Sequence, residues 1–105
     1  MNQLDVEMLK LEEDFNNIMK EIHLQKAVLY TRYNYKPKYI VLGINTMQTI
    51  QRFLNEHPNS PFTDYNRKTY QEFLGQYQDI AAIVDTTPYS QVPKDFVLIV
   101  HSFNQ

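Results

Sequence analysis

The residue types able to do chemistry are present in this chain, but their spacing does not combine them. His23, His57 and His101 lack the i,i+3 or i,i+4 separation that sets two metal ligands on one helix face. Asp79 and Asp85 flank an apolar run, and neither has a carboxylate partner by spacing. Asp85 before "TTP" fits a turn better than a catalytic acid. Ser60 and Ser90 lie near prolines, outside the strand–turn–helix setting of a nucleophile elbow. The chain has no cysteine, which removes disulfides, thiolate metal sites and a thiol nucleophile. These patterns predict no catalytic residue, no metal and no cofactor, hence a protein that is not an enzyme.

A second candidate is the corner in "YIVLGINTMQTIQRFL", residues 39 to 54, where an apolar run meets a glycine and then a helix start. Phosphate loops share this order, but they need several glycines to converge backbone N–H groups on the anion, often beside a lysine. Here Gly43 stands alone and no lysine follows it. Asn45 reads as the helix cap, with Gln48 in the reciprocal position three residues on. The expectation is that Gly43 turns a corner and holds no ligand.

The third candidate is "KAVLYTRYNYKPKY", residues 26 to 39. It interleaves Lys26, Arg32, Lys36 and Lys38 with Tyr30, Tyr33, Tyr35 and Tyr39. Cations that track phosphates beside aromatics that stack bases are the ingredients of single-strand binding. The same types serve as packed structural tyrosines, or as a protein interface. An overall pI of about 5.8 favours these two over nucleic acid. The expected interaction surface is therefore Lys26, Tyr30, Arg32, Tyr33, Tyr35, Lys36 and Lys38. Its expected partner is another protein or a second copy of the chain, with nucleic acid as the alternative.

The elements that must position this surface follow from composition and periodicity. A chain of 105 residues with 43% hydrophobic and 21% charged residues has ordinary globular composition and fits a single domain, residues 1–105. No apolar run reaches membrane-spanning length, and the acidic N-terminus is unlike a signal peptide, so a cytoplasmic protein with no membrane partner is expected. The net charge of −2 is unevenly spread: Asp5, Glu7, Glu12, Glu13, Asp14 and Glu21 crowd the first 21 residues, whereas residues 22–55 hold no acid. An acidic end and a basic middle can pair between copies, or can merely be two solvated faces.

Leu4, Met8, Leu11, Phe15, Ile18 and Ile22 recur at steps of four and three and predict one stripe of a long amphipathic helix, with Asp5 as its cap. Leu29 continues the stripe, which favours helix to about residue 32, although alternation through Leu29, Thr31, Tyr33 and Tyr35 also suits a strand. Pro37 enforces a break before it. "YIVLGI" predicts a strand, and Met47, Ile50, Phe53 and Leu54 predict one face of a second helix. A short third helix runs through Tyr65, Tyr70, Phe73 and Leu74, capped by Thr63 or Asp64 and stopped at Gly75. "DIAAIVD" and "DFVLIVH" predict two more strands, and "TTPYSQVPK" between them predicts a projecting loop too long for a tight hairpin. The sum is an α+β domain: a long N-terminal helix over residues 1–33, packed on a small mixed sheet with two shorter helices in residues 34–105.

This order resembles the axial (A) domain of the tailed-phage major capsid fold, shared by the encapsulin nanocompartments, with the spine helix that leads into it. The counterparts are Pro37 with Ile40 and Val41, then Asn45 as the cap, then Phe73-Leu74-Gly75. Ile83-Val84-Asp85, Pro88, Pro93 and the final strand Phe96 to Val100 complete them. The likeness runs over about residues 5 to 100. It implies a truncated, A-domain-only form, since the N-terminal arm, extended loop and peripheral sheet of a full capsid subunit have no counterpart in 105 residues. It further implies a viral or prophage structural protein acting through protein–protein contacts, in a host cytoplasm or a virion.

Overall fold

The computed structural model describes residues 3–57, 69–77, 80–84 and 92–100. The elements are α1 (Gln3–Tyr33), β1 (Tyr39–Leu42), α2 (Ile44–Glu56), α3 (Tyr70–Tyr77), β2 (Ala81–Val84) and β3 (Val97–Val100). They form the expected α+β arrangement, with the two middle helices inserted between β1 and β2.

At 1.5 Å per residue, α1 is about 46 Å long, close to the 49 Å long axis of the molecule. That length explains its burial. The stripe meets the body from Leu11 onward: Leu11, Phe15, Met19 and Ile22 are buried, and Ile18 and Leu29 pack against the core. Leu4, expected in the core stripe, is exposed because the first turns of α1 overhang. The helix begins at Gln3, so Asp5 lies within its first turn and is not its cap. At the other end the helix, not the strand, prevails through Tyr33. Asn34 then takes a left-handed conformation (φ 55°), with its N–H donating to the Tyr30 carbonyl. A residue that tolerates that region, placed just past the last turn, is how a helix is closed without glycine.

The sheet is mixed and three-stranded, in the order β2-β1-β3. β1 pairs with β2 in parallel, Ile40 opposite Ala82, and with β3 antiparallel, Ile40 opposite Ile99. Period-two alternation sends Ile40, Leu42 and Ile99 into the core. Tyr39, Val41, Leu98 and Val100 share the opposite face and are only partly covered. β2 and β3 flank β1, and residues 85–91 of their connection, which hold most of the expected loop "TTPYSQVPK", lie outside the described residues.

The core joins α1 to Ile50, Phe53 and Leu54 of α2, to Phe73 and Leu74 of α3, and to the inner sheet face. At its centre Phe15 stacks on Phe53 with ring centroids 3.8 Å apart, and Phe73 tilts against Phe15 at 6.0 Å. Full burial of one such ring contributes about 2–3 kcal/mol. The outer edge of β3 is closed by a side chain of α1. Gln25 donates its Nε2 to the Val97 carbonyl at 3.0 Å and accepts the Ile99 N–H on its Oε1 at 2.8 Å. A glutamine amide here imitates the next strand, which blunts an edge otherwise open to pairing.

Candidate interaction surface

The Gly43 corner comes first, because it bears on ligand binding. Gly43 has φ −69° and ψ 158°, a conformation open to any residue. What it lacks is space: a Cβ there would fall on the carbonyl oxygens of Pro93 and Lys94. The segment before β3 therefore lies across the corner instead of projecting at this end. The Lys94 carbonyl accepts the Asn45 N–H at 2.8 Å and lies 3.4 Å from the Thr46 N. Asn45 is not the cap that its sequence position suggests. Its Nδ2 donates to Asp95 at 3.2 Å, and no side chain caps this helix, so the pairing with Gln48 does not form. The Asn45 and Thr46 N–H groups, which an anion at this corner would need, already have the Lys94 carbonyl as acceptor.

The basic tyrosine segment is built where α1 ends and β1 begins. Lys26, Ala27, Tyr30 and Thr31 are two adjacent i,i+4 rows of α1, and the Asn34 turn brings Lys36 and Pro37 back against them. Together they line an open depression of about 630 Å³. Among the described residues no acid lines it. Tyr30 is 65% exposed, while Pro37 is buried. Thr31 donates its hydroxyl to the Ala27 carbonyl at 2.7 Å, so that row presents methyl groups more than polar ones.

Three of the seven expected residues, Lys26, Tyr30 and Lys36, meet at this depression. Tyr33 and Tyr35 are exposed beside it in sequence and stack on each other, centroids 6.1 Å apart and 13° from parallel. Arg32 and Lys38 are exposed and do not line it. The helical reading explains the split: successive residues around α1 diverge by 100°, so Arg32 leaves the face that carries Lys26 and Tyr30. Ala27, Thr31 and Pro37 were not singled out from sequence, although the i,i+4 spacing would have found the first two once helix was chosen over strand.

Elsewhere, a groove between α1 and α2 of about 440 Å³ carries both charge signs, from Glu7, Lys10, Asp14 and Arg52. His23 is exposed. His57 stacks on Phe53 at 4.2 Å, with its Nδ1 3.1 Å from the Phe53 carbonyl, at the end of α2. His101, Asp79, Asp85, Ser60 and Ser90 lie outside the described residues. Among the described residues no cluster of three or more His, Cys, Asp or Glu could hold a metal ion. No helix among them is long and apolar enough to cross a membrane. Compared with protein families, curated proteins and solved structures, the chain matches none at a significant level.

Proposed function

We propose that this chain is a non-enzymatic protein-interaction domain that receives an acidic protein surface at the α1–β1 junction. The observation that carries the proposal is the depression itself: an apolar floor with an exposed tyrosine and two lysines at its rim. Tyrosine beside cations on a largely apolar base is the composition of interface centres. The likeness to a capsid or encapsulin axial domain belongs to the same proposal. It is supported by the order of elements, a long helix running into a helix-covered mixed sheet, and it makes further copies of the chain the first partner to try.

Sedimentation of the wild type and of the double variant Lys36→Glu/Lys38→Glu tests this, each at low and high salt and with labelled single-stranded oligonucleotide. Association through the patch should weaken above physiological salt, where screening reaches about 8 Å. The charge reversal should weaken it further without lowering the thermal midpoint. Oligonucleotide binding that is lost in the variant, with a salt slope reduced by about two charges, would replace the protein partner by nucleic acid.

A further inference from the structure

The side of α1 that faces away from the core carries a pattern that its solvent position does not require. At about 100° per residue, Val6, Leu9, Glu13, Lys20 and Leu24 fall within an arc of about 60°, roughly opposite the line of Leu11, Phe15 and Ile22. Val6 is 52% exposed, Leu9 54% and Leu24 58%. Single exposed apolar residues are ordinary on a protein surface. This stripe differs in its order, which reads almost the same from either end: apolar, apolar, Glu13, Asn16-Asn17, Lys20, apolar, apolar.

We infer that α1 pairs antiparallel with α1 of a second copy along this stripe, about a two-fold axis between Asn16 and Asn17. Residues whose numbers sum to 33 then face each other. Leu9 meets Leu24, and Glu13 meets Lys20. Val6 meets Ala27, and Asn16 meets Asn17. Each contact occurs twice, as an isologous interface requires. The charge distribution selects this direction. The N-terminal half of α1 holds Asp5, Glu7, Glu12, Glu13 and Asp14 against Lys10, whereas the C-terminal half holds Lys20, Lys26 and Arg32 against Glu21. Antiparallel pairing sets the acidic half of one helix against the basic half of the other, and aligns the two helix dipoles head to tail. Parallel pairing would set Glu13 against Glu13 and Lys20 against Lys20. All the facing side chains are exposed in the single chain, so no described element has to move. The interface meets the depression at Ala27 and shares the charge of Lys26, whereas Tyr30, Lys36 and Pro37 belong to the depression alone.

The chain has no cysteine, so introduced thiols report on this register alone. The double variant Leu9→Cys/Leu24→Cys should give a covalent dimer on mild oxidation, while Leu9→Cys alone should not. Two copies of residue 9 would lie about 22 Å apart along an antiparallel pair, far beyond disulfide reach. Sedimentation equilibrium should show a dimer that Glu13→Lys weakens about tenfold. Glu13→Lys combined with Lys20→Glu should restore wild-type affinity, because the swap rebuilds both contacts. Lys36→Glu/Lys38→Glu should leave the cross-link unchanged, which separates this interface from the patch of the proposed function. A monomer at every concentration, equal affinity in the single and swapped variants, or cross-linking by Leu9→Cys alone would overturn the inference. Circular dichroism melts of each variant confirm that the fold is kept.

Discussion

Helices α2 and α3 begin in opposite ways, and each is associated with one of the chain's two glycines. The start of α2 is capped from far along the chain: the Lys94 carbonyl takes the first N–H groups, and Gly43 lets that carbonyl approach. The start of α3 is capped mainly by its own residues. Thr69 accepts the Glu72 N–H on its hydroxyl at 3.2 Å, and Glu72 accepts the Thr69 N–H at 3.0 Å. Gln51 of α2 takes the Tyr70 N–H at 2.9 Å. Gly75 lies inside α3, which continues to Tyr77, so it is not the expected stop. A Cβ added to it would meet only the Ile80 carbonyl, at an ordinary 3.8 Å. Neither glycine has a positive φ. The contrast teaches that a glycine is required by what passes over it, not by the corner or helix end it stands beside.

The largest effect is expected at Gly43. Gly43→Ala must push the Pro93–Lys94 segment off the corner. That also strains the Gly43 N–H bond to the Phe96 carbonyl (2.8 Å) and the bond from Asn45 to Lys94. Overpacking against backbone together with a damaged cap gives a loss of about 3 kcal/mol, comparable to removing a core ring such as Phe15. Urea melts measure it. A loss below about 1 kcal/mol would mean that the segment yields easily, and the distinction between the two glycines would collapse.

How far the fold is legible in sequence divides along the same line. The core contribution of α1 is legible at Leu11, Phe15 and Ile22 because helical spacing alone decides it. Leu4 misleads, since nothing local says how far the body extends beneath the helix. "TYQE" is a capping box in plain view, Thr69 with Glu72, yet the sequence reading places the cap at Thr63 or Asp64, which lie outside the described residues, and misses Thr69. Asn45 shows the converse. Its sequence context is that of a cap, but a carbonyl about fifty residues away occupies the position. Gln25 likewise reads as one more polar residue on a helix until β3 is placed beside it. At the candidate site, residue types single out a segment of which Lys26, Tyr30 and Lys36 line the depression. Which of its lysines meet at the depression depended on the Asn34 turn, and composition carries no trace of that.

The local cap gives the middle effect. Thr69→Ala removes the acceptor for the Glu72 N–H and unties one half of the reciprocal pair, so a loss of about 1 kcal/mol is expected. Thr69→Ser keeps the hydroxyl and should stay within about 0.3 kcal/mol of wild type. Hydrogen exchange should place the Thr69→Ala loss in α3, with the Asn45 and Thr46 amides of α2 unaffected, since their acceptor lies elsewhere. Faster exchange at both helix starts would show that the two caps are not independent.

The smallest effect has the opposite sign. Gly75 is exposed, helical and unobstructed, so glycine there only adds backbone freedom to the unfolded chain. Gly75→Ala should stabilise the protein by about 0.5–1 kcal/mol, from helix propensity and reduced unfolded-state entropy. Because the new methyl touches nothing but a carbonyl at van der Waals distance, the gain should appear mainly as slower unfolding if α3 forms late, and as faster folding if it forms early. Combined with Thr69→Ala in the same short helix, it should offset most of that loss. Combined with Gly43→Ala it should offset little, since a clash of about 3 kcal/mol exceeds anything one helical alanine supplies. A destabilised Gly75→Ala would show that α3 needs its glycine for a close approach after all, and the two glycines would then differ in degree only.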